Sequence, residues 1–254
     1  MAEHNIARRD EVLRLLRNRT SASIAEIAGQ FSISEMTVRR DLERLAANGQ
    51  VIRIPGGAMM ARGTAMEKTF LDRSAQCADM KDRIGRAAAA RVKDGEAVVM
   101  DSGTTTLFIA RHLRRRKNVV VFTLSLAVLD ELSGASDVRV VLTGGIYRRS
   151  SHDLVGREVA EALRAIHAQK VFFGAAALSF TKGVMANDSE FQKELLTAGT
   201  EKILVLDSAK IGHEALYHIC PVESCDLVIT DSGVKAADLR RMKELTAVQV
   251  VEPE

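Results

Sequence analysis

Apolar side chains recur at helical spacing in three successive segments at the start of the chain. Ser23 and Glu26 match a capping box, so a second helix is predicted to begin at Ile24. Ser34 can cap a third helix, which Asn48-Gly49 is expected to end. The predicted inward positions of the three helices are Ile6, Val12, Leu13 and Leu16, then Ile24, Ile27, Ala28 and Phe31, then Met36, Val38, Leu42 and Leu45.

The segment 51–54 alternates like a short strand, and Pro55-Gly56-Gly57 is predicted to turn it. Three short helices followed by a strand pair predict a winged helix-turn-helix, whose third helix would enter the major groove of DNA. Residues 1–57 are therefore expected to form a DNA-binding domain. The stretch 58–79, rich in Ala, Met, Gly and Thr, is predicted to be a linker.

Beyond the linker, the pattern changes to short, continuous apolar runs that alternate with helical stretches. This alternation predicts a doubly wound, mostly parallel α/β domain over residues 80–254, with helices covering both faces of the sheet. The predicted strands are Ala97–Met100, Val119–Thr123, Val138–Thr143, Val171–Gly174, Ile203–Leu206, Leu227–Thr230 and Val248–Val251. The predicted helices are Met80–Val92, Thr105–Arg115, Leu126–Ser133, Arg157–Ala168, Asp188–Thr200 and Lys235–Leu245.

Composition narrows the class of protein without naming a partner. Of 254 residues, 46% are hydrophobic, but no apolar run reaches the roughly 18 residues that a membrane span needs. Cys77, Cys220 and Cys225 have no metal-site spacing, so we expect reduced thiols, a cytoplasmic location, and neither metal nor cofactor. The net charge of +3 permits DNA binding without proving it; all nine basic residues of segment 1–57 are arginine, but arginine is favoured throughout the chain.

The third predicted helix carries the candidate DNA contacts. Thr37, Arg40 and Arg44 fall on one outward stripe, and the first two are the strongest candidates because N-terminal residues of such a helix reach base edges. Arg39 lies four residues from both Glu35 and Glu43, so a surface ion pair is an alternative role for it. Asp41 would repel phosphate and is expected to orient an arginine, whereas Arg53 on the wing could approach DNA.

Polar residues follow several of the predicted strands, at the sheet edge where open α/β folds bind ligands. Asp101-Ser-Gly-Thr-Thr-Thr106 is the most informative, because a strand ends, Gly103 permits a tight turn, and threonine hydroxyls open a helix whose N–H groups favour an anion. The alternative is that Ser102 or Thr104 merely caps that helix. Further polar candidates at this edge are Ser125, Arg148 and Lys210.

Two sets of motifs resemble the DeoR family of bacterial repressors. The segment 31–45, FSISEMTVRRDLERL, is similar to the family's head, and DSGTTT (101–106), LTGGIYR (142–148) and DSAKIG (207–212) resemble its effector-domain blocks. The resemblance implies DNA recognition through Ser34, Thr37, Arg39, Arg40 and Asp41. It also implies a ribose-5-phosphate-isomerase-like sensor domain, in which a phosphorylated sugar is bound by Asp101, Gly103, Thr104, Thr105, Thr106 and Lys210.

The leading hypothesis is a repressor of a carbohydrate operon. A homo-oligomer, dimer or tetramer, would bind double-stranded operator DNA and respond to a phosphorylated sugar. The alternative is a sugar-phosphate isomerase with an appended DNA-binding domain, for which Asp101, Asp207 and Asp231 are available carboxylates. A DNA-binding protein without a ligand is the third hypothesis, but it leaves the polar strand ends without a purpose.

Overall fold

The computed structural model describes residues 8–9, 11–13, 15–16, 21–47, 51–54, 56–60, 70–188 and 191–253. The chain divides into two compact units, Met1–Glu67 and Lys68–Glu254, called here the head and the sensor unit. The predicted linker, 58–79, is therefore shorter than expected, because structured segments occupy both of its ends. Its first residues belong to a strand of the head, and its last include a helix of the sensor unit.

The head contains the predicted helices and wing. Its elements are α1 (described residues 8–9, 11–13 and 15–16), β1 (Ser21–Ser23), α2 (Ile24–Phe31), α3 (Glu35–Ala47), β2 (Val51–Ile54) and β3 (Gly57–Met60). The capping box is confirmed, since the Glu26 N–H donates to Ser23 Oγ at 3.2 Å and the Ser23 N–H donates to Glu26 Oε2 at 2.7 Å. The strands form an antiparallel sheet in the order β1-β3-β2.

Apolar side chains of α1, α2 and α3 close the core of the head, and Val12, Leu16, Ile27, Val38 and Leu42 are all fully buried. The prediction that Met36 faces inward is wrong: its side chain is 60% exposed. The reason is geometric, because α3 packs through positions spaced three and four residues apart, and residue 36 is not one of them. The predicted roles of Ile6, Asn48-Gly49 and Pro55 lie outside the described residues.

In the sensor unit, all seven predicted strands belong to one parallel sheet, in the order β15-β14-β12-β9-β4-β5-β6. Those strands are β4 (Ala97–Met100), β5 (Val119–Thr123), β6 (Val138–Leu142), β9 (Ala168–Phe173), β12 (Gly199–Val205), β14 (Leu227–Asp231) and β15 (Ala247–Val251). The helices are α4 (Phe70–Ala75), α5 (Ala78–Ala90), α6 (Thr104–Leu113), α7 (Leu126–Leu132), α8 (Arg157–Arg164), α9 (Gln192–Thr197) and α10 (Ala236–Leu245).

Each face of this sheet has its own apolar core, as the continuous apolar strands predict. The consecutive residues Phe172 and Phe173 show the division: Phe172 packs with residues of α5, α6 and α7, and Phe173 with residues of α8, α9 and α10. Helices α5 and α6 approach closely at Gly85, where a Cβ would lie 2.6 Å from the carbonyl carbon of Phe108. A larger residue at that position would therefore push α6 out of place.

Short strands and two single-turn 3-10 segments were not predicted. They are the hairpin β7 (Ile146–Arg148) and β8 (Asp153–Val155), the small sheet of β10 (Ala177–Ser179), β11 (Gly183–Ala186) and β13 (Tyr217–Cys220), and the 3-10 turns Ser208–Lys210 and Val222–Ser224. In the part of the chain that the structure describes, we find no helix with the length and apolarity of a membrane span. Cys77, Cys220 and Cys225 are all free thiols.

Candidate DNA-recognition surface and effector site

The start of α3 is held by a side-chain cap. Ser34 Oγ accepts the Thr37 N–H at 3.2 Å, and the hydroxyls of the two residues lie 2.9 Å apart. Ser34 therefore shapes the helix start, as its position predicted, and its hydroxyl is already engaged. Arg40 and Arg44 are exposed, and Thr37 is partly exposed. These three side chains form the outward stripe of α3, and this stripe is accessible to DNA.

Two other predicted DNA contacts are engaged in surface ion pairs. Arg39 Nη2 lies 3.4 Å from Glu35 Oε2, which is the alternative role that the spacing predicted. On the wing, Arg53 Nη1 lies 3.0 Å from Glu43 Oε1. Because exposed pairs of this kind contribute about 0–1 kcal/mol, DNA phosphates could replace either carboxylate at little cost.

Asp41 contacts an arginine, as expected. Arg8 Nε donates to Asp41 Oδ2 at 2.7 Å, and Arg8 Nη2 donates to Oδ1 at 3.2 Å. Asp41 is only 3% exposed, and its hydrogen bonds with Arg8 raise the arginine's pKa. This residue of α3 therefore ties the helix to α1 and does not face DNA.

The candidate effector site lies where the strand order of the sheet reverses, at β4. From β4 the chain proceeds to β5 and β6 on one side, and β9 then lies against the other side of β4. In open α/β sheets such a switch point leaves a crevice at the carboxyl ends of the strands. The Gly174 N–H, after β9, donates to Asp101 Oδ2, after β4, at 2.6 Å, so one carboxylate spans the switch point.

Asp101 organises the loop that leads into α6. Its Oδ1 accepts the Gly103 N–H at 2.8 Å and the Thr106 hydroxyl at 2.7 Å. Burial raises the pKa of Asp101, and its hydrogen bonds and the nearby Lys210 charge oppose that rise. Gly103 leaves room beside it, since a Cβ there would lie 3.0 Å from Asp101 Oδ1, a tight contact. Both carboxylate oxygens of Asp101 are therefore occupied in holding the loop, and neither is free to bind an effector.

The first turn of α6 points its N–H groups at this edge. Thr104, Thr105 and Thr106 are all buried, and their N–H groups have no acceptor within the helix because they belong to its first turn. The Thr106 hydroxyl also lies 2.6 Å from the Gly103 carbonyl, so its single proton is shared between that oxygen and Asp101 Oδ1, and α6 has no side-chain N-cap bond. What remains for an anion is the set of backbone donors, the helix dipole and the two preceding threonines.

Lys210 brings a cation to the same region. Its Nζ donates to the Ala175 carbonyl at 2.8 Å, one residue beyond Gly174, and lies 3.8 Å from Asp207 Oδ2. Burial lowers the pKa of Lys210, while the charges of Asp207 and Asp101 raise it. The structure therefore places Lys210 beside the 101–106 loop, as the sequence predicted for an anion site.

Arg148 is close to the loop but is held by carboxylates. Its guanidinium bonds Asp153 at 3.0 and 2.7 Å and Asp188 at 2.7 Å, and Asp153 also accepts the Ser102 hydroxyl at 2.7 Å. Burial lowers the pKa of Arg148, but the bonds and charges of Asp153 and Asp188 outweigh it and raise the pKa. In this arrangement Asp153 connects the β7–β8 hairpin to the loop through Ser102, and Arg148 is neutralised by its two carboxylate partners.

Ser125 has a structural role as the N-cap of α7. It is fully buried, and its Oγ accepts the Val128 N–H at 3.3 Å. It also forms a backbone bridge with Asp153, so it lies on the Arg148 side of the site and supports the hairpin. The structure thus brings together residues 101–106 and Lys210, whereas Ser125 and Arg148 form the supporting wall.

Two buried charged residues of this site, Asp153 and Lys81, were missed by sequence reasoning, and a third, Asp231, was considered only as a candidate general base. Asp153 follows no predicted strand, and it has the pairings just described. Asp231 accepts the N–H and the hydroxyl of Ser208, both at 2.7 Å, and so holds the turn that carries Lys210. Lys81 donates to the Arg73 carbonyl and, at 2.8 Å, to the Gln76 carbonyl. Of the three, Asp231 had a sequence indication, since it directly follows the predicted strand Leu227–Thr230.

Two family models match the chain in adjoining segments. Residues 8–64 match the model described as "DeoR-like helix-turn-helix domain", and residues 76–232 match "DeoR C terminal sensor domain". The second match alone covers more than half of the chain. The two segments correspond to the head and the sensor unit.

Curated relatives match over nearly the full length. The lactose phosphotransferase system repressor of Lactococcus lactis subsp. lactis is 29% identical over 95% of this chain and 96% of its own. The HTH-type transcriptional regulator YgbI of Escherichia coli K12 is 30% identical, with coverage of 93% and 94%. Among solved structures, ribose 5-phosphate isomerase A from Methanocaldococcus jannaschii is similar at a TM-score of 0.38 and 17% identity, over 53% of this chain and 54% of its own.

Proposed function

The chain belongs to the DeoR family, and on that premise we propose that it is a ligand-controlled transcriptional repressor of a carbohydrate operon. The head binds double-stranded operator DNA through α3, with Thr37, Arg40 and Arg44 as its main contacts. The sensor unit binds a phosphorylated sugar against the first turn of α6, beside Lys210. The chain acts in the cytoplasm, where its operator lies.

One observation carries the effector proposal. The 101–106 loop lies at the switch point of the sheet, with its backbone shaped by Asp101 and with Lys210 alongside. A phosphate carries the negative charge that a helix N-terminus and an ammonium both favour. The sugar hydroxyls would then face Thr104 and Thr105 at the same helix start.

Control of DNA binding follows from a difference in affinity. A sugar phosphate that binds one arrangement of the protein more tightly shifts the population toward that arrangement. The coupling needed is about 1–3 kcal/mol, which changes operator affinity roughly 5- to 150-fold. We propose release of DNA by the effector, and a homo-oligomer, dimer or tetramer, that binds two half-sites of the operator.

The isomerase alternative needs a carboxylate that is free to act as a general base. Asp101 and Asp231 each accept three hydrogen bonds from the loops that they hold, and Asp207 lies against Lys210. These contacts give the carboxylates structural roles, which supports a sensor over an enzyme.

The test uses the full chain and an operator selected by it from random duplex DNA. Thermal unfolding is measured with a panel of pentose and hexose phosphates and the matching unphosphorylated sugars. A ligand at 100 times its Kd stabilises the protein by about 2.7 kcal/mol. We expect one sugar phosphate to raise the unfolding temperature and weaken operator binding without being converted. Turnover would favour the isomerase, and DNA binding that no sugar phosphate alters would contradict the effector proposal.

A further inference from the structure

Met36 is an exposed apolar residue on a helix whose larger apolar side chains, Val38, Leu42 and Leu45, are buried. Its side chain is 60% exposed, and it is the large hydrophobic residue that stands out to solvent among the described residues of the head. Val38, Leu42 and Leu45 fill the inward face of α3 and are almost completely buried. The core of the head is therefore closed without Met36, and its exposure is not explained by packing.

The helix geometry places Met36 on the surface that faces away from the core. At about 100° per residue, Met36 lies about 160° around the axis from Val38. Arg40, four residues later, lies about 40° around the axis from Met36, and Arg44 and Thr37 lie about 80° and 100° from it in the same direction. Met36, the second residue of α3, thus lies at the edge of the stripe assigned above to DNA, between Arg40 and Glu43.

Met36 is surrounded on the helix surface by charged residues that form ion pairs. Arg39 and Glu35 bond to each other on one flank, and Glu43 is paired with Arg53. An exposed methionine can satisfy neither a phosphate nor a polar base edge, because a thioether is at most a weak acceptor. The apolar group that B-DNA offers in its major groove is the 5-methyl of thymine.

We propose that Met36 contacts the 5-methyl group of a thymine in each operator half-site and so determines a specific base. The inference rests on the proposed recognition role of α3. Thr37 and Arg40 supply polar contacts beside it, whereas Met36 supplies selectivity for a methylated pyrimidine edge. The unbranched methionine side chain can adjust its shape to the methyl group within the groove.

The experiment removes the same contact from either side. On the operator selected by the full-length protein, each thymine is replaced in turn by deoxyuridine, which deletes only the methyl group. For one thymine per half-site we expect wild-type affinity to fall about four- to fifteenfold per half-site, the scale of burying one or two methyl-sized groups. Met36→Ala is expected to bind the unmodified operator more weakly by a similar factor and to lose nothing further on that deoxyuridine duplex.

Matched variants separate the outcomes. Met36→Leu keeps an apolar side chain and should retain most of the preference for thymine. Met36→Ala should unfold at the wild-type temperature, because the side chain is exposed. The inference would be overturned if Met36→Ala lost as much affinity as the wild type on each deoxyuridine duplex, so that the two losses add. It would also be overturned if no single thymine methyl group affected wild-type binding. Arg40→Ala then shows which proposal has failed. If Arg40→Ala also leaves binding to every duplex unchanged, the proposed recognition role of α3 is wrong. If Arg40→Ala weakens binding, α3 does recognise DNA and only the role of Met36 is wrong.

Discussion

The Arg8 guanidinium bonds both carboxylate oxygens of Asp41, at 2.7 and 3.2 Å, and thereby joins the first and third helices of the head. Asp41 is 3% exposed, and the Arg8 side chain is 18% exposed. A partner removed from such a pair leaves a buried charge unmatched, which is costly. The contact therefore holds α3 against α1 through the buried side chain of Asp41.

Asp41→Asn tests that role. The variant keeps the shape of the side chain but loses the charge that Arg8 contacts, so we expect the head to be less stable by about 2–3 kcal/mol. Operator binding should fall with it, while the effector still raises the unfolding temperature of the sensor unit. Urea unfolding and operator titration measure the two effects. The control is Glu35→Gln, which breaks the exposed pair with Arg39 and should change stability by less than about 1 kcal/mol. Similar losses in the two variants would show that the buried pair has no special role.

Lys210→Met is expected to weaken effector binding and leave operator binding intact. It removes the ammonium beside the first turn of α6, and a hydrogen bond to a charged group is worth about 1.5–3 kcal/mol, or roughly 10- to 150-fold in Kd. Calorimetric titration with the sugar phosphate found by the panel measures the change. Lys182→Met is the matched control, because Lys182 pairs with Glu214 on the surface. An equal loss in the control variant would indicate a general effect of charge.

The sequence was sufficient to predict the strands of the parallel sheet, but not the short hairpin beside it or the exposed position of Met36. Continuous apolar runs such as Val119–Thr123 and Leu227–Asp231 can be buried only between two layers of helices, and each became a strand of the parallel sheet. The β7–β8 hairpin was missed because three-residue strands are too short to show a period. Met36 was misassigned because it is apolar, although it lies off the three- and four-residue spacing of its neighbours.

The candidate site was predictable from the sequence only where its residues are consecutive in one segment. The 101–106 loop combines a strand end, a glycine and a helix start in consecutive residues, so its local form could be inferred. The partners of Arg148 could not, because Asp153 and Asp188 lie 5 and 40 residues away and meet it only in the fold. A charge that looks available in the sequence can therefore be neutralised by contacts that no local pattern shows.

Arg148→Gln is expected to destabilise the sensor unit. It leaves the fully buried Asp153 without its charged partner, and breaking a buried pair in this way costs about 3–5 kcal/mol. Chemical unfolding of the full chain, followed on the sensor transition, measures the loss. Arg157→Gln is the control, since Arg157 is 84% exposed and bonds Glu161 on a helix surface. A stability of Arg148→Gln equal to that of the control, together with a large loss of effector affinity, would assign Arg148 to the ligand instead.

Glu96 and Lys170 give the sensor unit a defined dependence on acid. Lys170 Nζ lies 2.7 Å from both carboxylate oxygens of Glu96 and is almost completely buried. Burial raises the pKa of Glu96, but the Lys170 hydrogen bond and the Lys93 N–H outweigh it, and the pKa is lowered. A carboxyl group whose pKa is lower in the folded state stabilises the fold above its unfolded pKa, about 4.3, and loses that contribution as the pH falls through the folded value.

Glu96→Gln removes the titrating group and should show this difference directly. At pH 7 we expect the variant to be less stable than the wild type by about 2 kcal/mol, because Lys170 keeps a hydrogen-bond acceptor but loses its nearer countercharge, leaving Glu201 Oε2 at 3.8 Å. Below the ordinary glutamate pKa the two curves should converge, since the wild-type carboxyl group is then becoming protonated and neutral as well. Urea unfolding at intervals between pH 3 and 8 measures the gap, and a gap that stayed constant down to about pH 3 would mean that packing, and not the charge of Glu96, accounts for the loss.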